Sequence, residues 1–419
     1  MIARGRLDIG WMDLLAGAAY CATPGSRAAL ERRIEERWSR RDDAFVCLSI
    51  RSGLDLLLTA LAYPPGSEVL VSAVTIRDMV RVIEGHGLVA VPVDMDMNAG
   101  APRLRSLQRA RGPRTRALLM APLFGSRMPL DEAARFAREH GLLLIEDCAQ
   151  AFTGLDYTGH PAADVSMFSF GPIKTATALG GAVFRVRDPE LRESVRRLQA
   201  AWPVQGRGRF LQRVARFFLM RLLMLRLPFT LFCAGCRLLN RSHDDVISHA
   251  VRGFSGPDFF ANIRHQPSFP LLALLRRRLA RFDGRRVERR KEAAQLVARL
   301  THAVARPGRE AEDHSYWTFP VESEAPDDLV RHLWSRGFDA TRGQWSLFPV
   351  PPPASTTHAE AAEATATMRR VVYVPVYPEV ARADLVRLAD TLCEFVQGPG
   401  TVGDRPMASR TAVASSSKL

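Results

Sequence analysis

Lysine is nearly missing from this chain. Only Lys174, Lys291 and Lys418 occur, against fifty-five arginines. A coding bias toward arginine explains the pattern in bulk, yet it makes each surviving lysine informative. Lys174 stands in an apolar, Gly-rich stretch, where a cation is unusual. Cysteine is also sparse. Six residues, at 21, 47, 148, 233, 236 and 393, make no dense disulfide framework. With no secretory leader at the start, a reducing compartment, the cytoplasm, is expected. Cys233 and Cys236 form a lone C-x-x-C without a second Cys/His pair nearby, which argues for small apolar fillers rather than zinc. No uncharged run reaches about 18 residues, so no spanning helix is expected. Zinc-finger spacing and RNP-like strands are absent, so the formal net charge of +14 does not read as a nucleic-acid footprint.

The charge that is present is uneven. Residues 201–300 hold 20 Lys+Arg and 6 Asp+Glu, and the rest of the chain is neutral. Such a segment is a solvated Arg-rich helix pair, or a surface for an anionic membrane or substrate. The 419 residues allow two or three domains, and 47% apolar with 24% charged residues is a globular composition. The expected division is a large domain over 1–250, with an apolar, Arg-rich insertion at about 209–240. A smaller C-terminal domain over 251–398 and a disordered tail over 399–419 follow, the tail being mostly Gly, Ser, Ala, Thr and Arg.

Periodicity places a helix over 26–41, where Leu30, Ile34 and Trp38 recur every four positions. A β-rich run, Phe45 to Ile50, meets Ser52-Gly53, and Leu54 to Leu61 follows as a helix. Strands are then expected at Glu68–Ser72, Val89–Val93, Ala117–Pro122 and Leu142–Glu146, with helices at Asp78–Gly85 and Leu130–His140 between them. Short apolar strands alternating with helices mark an α/β fold whose mostly parallel central sheet is covered by helices on both faces. Ligands bind such sheets beyond the carboxyl ends of the strands. After a basic helix or helix pair over 271–300, the chain turns α+β, with strands at Trp317–Val321 and Val371–Pro375 and helices at Asp327–Arg336 and Ala383–Val396. A loop is expected over Pro351–Thr367.

Three features coincide between Leu143 and Arg185. Asp147 ends a buried apolar strand. Lys174 follows the Ser-containing run Met167-Phe168-Ser169-Phe170. Gly180-Gly181 then allows a tight turn into a strand at Ala182–Val186. Separately, Asp147 reads as a helix cap and Lys174 as a loop cation. Together they suit pyridoxal 5'-phosphate, which needs a lysine for a Schiff base and an acid for its pyridine nitrogen. A buried lysine has a lowered pKa, which makes it a nucleophile and proton shuttle.

This stretch resembles the DegT/DnrJ/EryC1/StrS (sugar) aminotransferases, pyridoxal-phosphate enzymes of fold type I. Their E-D-x-A-Q-A appears as Glu146-Asp147-Cys148-Ala149-Gln150-Ala151. Their F-S-F-x-x-x-K appears as Phe168-Ser169-Phe170-Gly171-Pro172-Ile173-Lys174, followed by Gly180-Gly181. Gly66-Ser67-Glu68-Val69, Thr75, Asn262-Ile263-Arg264 and Pro375-Val376-Tyr377-Pro378 extend the resemblance over roughly 7–398. It implies transfer of an amino group from an amino acid to a keto-sugar or similar ketone. Lys174 would carry the cofactor, Asp147 would face its ring nitrogen, and Gln150 would contact the ring near its 3-hydroxyl. Ser169, with backbone groups around Gly53 and Leu54, would hold the phosphate. Asn262 would reach the phosphate in the other subunit of a homodimer. Three positions depart from the family: Leu54 replaces a threonine, Ile76 an aromatic residue that stacks on the cofactor, and Gly171 a frequent histidine. These departures support the alternative of a non-catalytic or regulatory relative.

Two segments stay open. Over 209–239, Arg209, Gln212, Arg213 and Arg216 share one arc of a helix, with Phe210, Val214, Phe217 and Phe218 outside it. Such a helix anchors at an anionic membrane surface, with Arg209, Arg213 and Arg216 at the headgroups and Phe210, Phe217 and Phe218 in the acyl boundary, or it packs against a partner subunit. The terminal Ser417-Lys418-Leu419 matches a peroxisomal address. The Arg-rich composition suits a bacterium, where that tripeptide carries no meaning.

Overall fold

The computed structural model describes residues 1–251, 258–343, 347–353 and 360–397. The expected tail lies outside them. Seven strands form the central sheet: β1 Ala44–Cys47, β2 Glu68–Ser72, β3 Val89–Val93, β4 Thr115–Met120, β5 Leu143–Asp147, β6 Val165–Ser169 and β7 Ala182–Val186. Their spatial order is β1-β7-β6-β5-β4-β2-β3. β6, β5, β4, β2 and β3 run parallel, while β7 is antiparallel to both β6 and β1. Most sheet residues are buried on both faces, as a parallel sheet between two helical layers requires.

One face is covered by α1 (Trp11–Ala22), α2 (Arg27–Trp38), α4 (Arg207–Leu223) and α6 (Phe269–Ala280). They pack Leu14, Trp38, Phe210 and Leu274 around Phe168 and Phe170. On the other face, α3 (Ile50–Leu61) sets Leu54, Leu57 and Leu58 against Phe45, Val71 and Phe184. The helix α5 (Arg226–Leu238) follows α4 after a bend of 91°. The C-terminal part builds its own cluster on Phe319–Glu322, antiparallel to Val371–Val374, and on α7 (Arg285–Leu300), from Ala293 onward. The region expected as one basic helix or a pair is therefore the pair α6 and α7.

Three expectations need correction. The expected strand to Ile50 ends at Cys47, and α3 begins at Ile50, not Leu54. Ser49 is the reason: its hydroxyl accepts from the Ser52 N–H at 3.1 Å and caps the helix one turn early. Second, the loop expected over 351–367 contains the start of a helix, Ala362–Arg370. Asp94 accepts from the Glu363 and Ala364 N–H groups at 3.1 and 3.0 Å, so a residue about 270 positions upstream supplies the cap. Third, Phe210 and Phe217 are only 0% and 4% exposed and belong to the core, so they are not available to enter a membrane, and Arg209, Arg213 and Arg216, expected at lipid headgroups, line a cavity instead.

Candidate active site

The carboxyl ends of β5 and β6 and the segment after β6 open into a cavity of about 800 Å³. Asp147, Gln150, Ser169 and Lys174 all line it. Asp147 is the last residue of β5, at the floor, where its carboxylate accepts from the Ala149 N–H at 3.0 Å. Burial pushes the Asp147 carboxyl up, against the opposing pull of that N–H, Lys174 and Arg51. Its neighbour Glu146 points away from the cavity. It accepts from the Tyr157 hydroxyl, from the His160 N–H at 2.7 Å and from the Ser166 hydroxyl at 3.2 Å. Those bonds fasten the 157–160 loop under β5 and so fix the direction of Asp147.

The turn that carries Lys174 is wound onto Phe170. The Phe170 carbonyl accepts from Ala178 N–H and Gly180 N–H, each at 3.0 Å, and from the Thr177 hydroxyl at 3.2 Å. Gly181 takes φ +86°, which favours glycine, and its N–H donates to the Leu48 carbonyl at 2.8 Å. Distant residues clamp the turn as well: Asp8 accepts from Ala176 N–H at 2.8 Å, and the buried Arg290 bridges the Ser315 carbonyl and the Thr175 hydroxyl. Lys174 itself is half-buried, makes no ion pair among the described residues and lies 4.1 Å from the centre of the Trp317 ring. Burial lowers its pKa to about 8; Asp147 opposes the shift and Arg51 adds to it.

The remaining expected residues are placed differently. Gly53 and Leu54 do not line the cavity. Gly53 N–H donates to the Ser49 carbonyl at 3.0 Å inside α3, and a Cβ there would stand 2.1 Å from the Phe184 ring. Leu54 is fully buried on the apolar face. The early cap brings Ser49, Ile50 and Arg51 to the cavity instead. Gln150 lines the wall while its Oε1 accepts from Phe124 N–H at 2.7 Å. Thr75 and Ile76 line the opposite wall. Asn262 does not reach the cavity of its own chain. Its neighbour Arg264 makes two bonds to the buried Asp55, at 2.9 and 3.0 Å.

Sequence reasoning missed Arg51, Trp317, Arg290 and Asp8. Arg51 sat one residue before a recognised turn and could have been found there. Trp317 and Arg290 carry no local signal, because only the C-terminal fold brings them to Lys174. In all, ten arginines line the cavity, against three carboxylates, Asp8, Asp78 and Asp147. The wall favours an anion.

A parallel-centred sheet with a lysine and a buried carboxylate at its carboxyl edge is the architecture of fold type I transferases. The chain belongs to the DegT/DnrJ/EryC1/StrS aminotransferase family, whose sequence profile matches residues 23–217 and 271–393. It is 28% identical over 369 residues to dTDP-3-amino-3,4,6-trideoxy-alpha-D-glucose transaminase of Streptomyces venezuelae, covering 84% of this chain and 83% of that one. It is 26% identical over 365 residues to UDP-N-acetyl-3-dehydro-alpha-D-glucosamine 3-aminotransferase of Acidithiobacillus ferrooxidans, covering 84% of each. The fold is that of the aminotransferase TlmJ of Streptoalloteichus hindustanus, with a TM-score of 0.68 at 20% identity over 95% of this chain and 99% of that one. The stretch 218–270, with α5 and Asn262, falls between the two matched parts.

The donor set fits pyridoxal phosphate. It offers an amine without an ion-pair partner among the described residues, a buried carboxylate with acceptor capacity left, a hydroxyl at Ser169 and a nearby cation at Arg51.

Proposed function

We propose that the protein is a pyridoxal-phosphate-dependent aminotransferase that passes an amino group from an amino acid to a ketone on a phosphate-bearing sugar, working as a homodimer. The observation that carries this reading is Lys174: an amine lowered to about 8, facing a cavity that also holds the Asp147 carboxylate. When bound, pyridoxal phosphate supplies an aldehyde that takes up amines and a ring that draws electrons from the adjoining carbon. Lys174 would hold it covalently, Asp147 would face the ring nitrogen, and Ser169 and Arg51 would hold the phosphate.

The chain's own residues then have definite tasks. With a pKa near 8, about a tenth of the Lys174 amine is neutral at pH 7, so Nζ both accepts and returns a proton without large cost. Trp317 covers Lys174 on one side and donates its Nε1–H to the Ile173 carbonyl at 3.0 Å, which holds the amine in place and keeps water off that side. Asp147 would face the ring nitrogen of the bound group and, as an anion, would favour its protonated form. Arg209, Arg213 and Arg216 on α4 offer charge to an acceptor's phosphate groups. The names of the relatives, both acting on nucleotide-linked sugars, support this acceptor class.

A half-reaction screen tests the reading. Cofactor-loaded protein is mixed with amino donors, and the aminated form is then offered nucleotide-linked keto-sugars and the corresponding free sugars. Amino transfer to the phosphate-bearing ketones is expected. Protein that takes up no cofactor, or that shows no transfer to either group, contradicts it. Sedimentation of the active species tests the dimer, and a fully active monomer removes it.

A further inference from the structure

The helix α4 presents three different arcs. Phe210, Val214, Phe217 and Met220 face the core. Arg209, Gln212, Arg213 and Arg216 face the active-site cavity, where Arg213 donates to the Leu179 carbonyl at 3.2 Å. The third arc faces outward and is apolar: Leu211, Ala215, Phe218, Leu219 and Leu222 are all exposed and lie at the i, i+4, i+7, i+8, i+11 spacing of one helix face. The helix α5 repeats the pattern. Leu227, Leu231 and Leu238 are 70%, 64% and 88% exposed, while Phe229, Cys233 and Cys236 on its other side are buried. In α1, whose Trp11 ring meets Phe218 at 5.0 Å, Met12 and Leu15 are exposed too. A soluble surface rarely leaves so many large apolar side chains together.

Within the segment that forms this surface the charge has one sign, although Arg226 meets Asp384 of a later helix at 3.4 Å. From Arg207 to Arg241 there are eight arginines and no Asp or Glu. Arg207, Arg226, Arg237 and Arg241 are exposed. A second copy of the chain on this face would set the exposed Arg207, Arg237 and Arg241 of one copy against those of the other, with no carboxylate from the same segment to relieve the repulsion. An anionic partner meets no such cost. Among the described residues no single helix is long and apolar enough to cross a bilayer; α4 and α5 together reach that length and composition, but are divided by a sharp 91° bend. That bend suits a pair lying in the interface.

We propose that the outer face of α4 and α5 docks the protein on an anionic lipid bilayer. Leu211, Phe218, Leu219, Leu222, Leu227 and Leu231 enter the acyl boundary, and Arg237 and Arg241 stay with the headgroups. The cavity-facing arginines lie on the same helix, so docking sets the active-site mouth beside the lipid surface. Most of this surface, from Phe218 onward, lies between the two stretches, 23–217 and 271–393, that match the family profile.

The test is flotation of the full-length protein with vesicles of phosphatidylcholine alone and of phosphatidylcholine with phosphatidylglycerol. Binding to the anionic vesicles, weakened by salt, is expected. The double variant Leu219→Glu/Leu231→Glu should bind about a hundredfold more weakly, because each of the two inserted leucines contributes on the order of tenfold. Arg237→Glu/Arg241→Glu should weaken binding without touching the apolar face. Melting temperature and cofactor uptake, unchanged in all variants, show that the fold is intact. No binding to anionic vesicles at low salt overturns the proposal. So does a leucine variant that binds as before. If the leucine variant instead turns a dimer into a monomer while the wild type ignores vesicles, the face is a subunit contact and the lipid assignment is wrong.

Discussion

Burial, rather than a partner carboxylate, sets the chemistry of Lys174. An exposed lysine titrates near 10.4, whereas this one is lowered to about 8. Only the neutral amine attacks an aldehyde, so cofactor uptake by apo-protein should speed up as pH rises and level off above a midpoint near 8. A midpoint at 10 or higher would mean that the amine is solvated. Asp147→Asn should keep the fold and lower turnover about 100-fold or more, since the pyridine nitrogen loses its charged partner. An unchanged rate would reduce Asp147 to a cap for Ala149. At this scale the sequence was highly legible: Asp147, Gln150, Ser169 and Lys174 were chosen from a run of about forty residues, and all four meet at one cavity. Trp317 was not legible as a cover for Lys174, because nothing within its own segment distinguishes it from a core tryptophan.

Among the elements, α3 carries the most instructive difference. Ser49 caps it at Ile50, so Gly53 lies inside the helix, against Phe184. Gly53→Ala would push a methyl into that ring and should cost about 1–3 kcal/mol, read from the denaturation midpoint. An unchanged midpoint would show that Phe184 moves aside freely. The same helix holds Asp55, buried between His86 and Arg264. Burial works to raise its pKa, but the bonds from His86 and Arg264 outweigh it and hold the carboxylate below the ordinary range. A carboxylate shifted downward stabilises the fold above its unfolded pKa of about 3.9, and that contribution is lost as pH falls through the lower folded value. Asp55→Ala should therefore cost about 2–3 kcal/mol at neutral pH and much less in acid. An equal cost at both would mean that the role is packing. Strands Glu68–Ser72, Val89–Val93 and Ala182–Val186 matched their expected limits to the residue, because short apolar runs bounded by turn residues have little freedom. The Ala362–Arg370 helix escaped notice because its cap, Asp94, belongs to a different part of the chain.

For the whole molecule, the uneven charge was visible in the sequence, but its division into faces was not. Periodicity grouped Arg209, Gln212, Arg213 and Arg216, and the fold turns that group toward the cavity. It could not tell which of the apolar arcs the sheet would cover; packing gave Phe210 and Phe217 to the core and left Leu219 and Leu222 outside. The scarcity of lysine, seen first as a feature of composition, allows the most direct test of the central claim, that this chain holds its cofactor on Lys174. Protein loaded with pyridoxal phosphate is treated with borohydride, which fixes the cofactor to whichever lysine bears it. Intact mass and peptide mapping then read the attachment among three candidates. One cofactor per chain on the Lys174 peptide, and none in Lys174→Ala, is the predicted result. Attachment at Lys291 or Lys418, or equal labelling of Lys174→Ala, would contradict it.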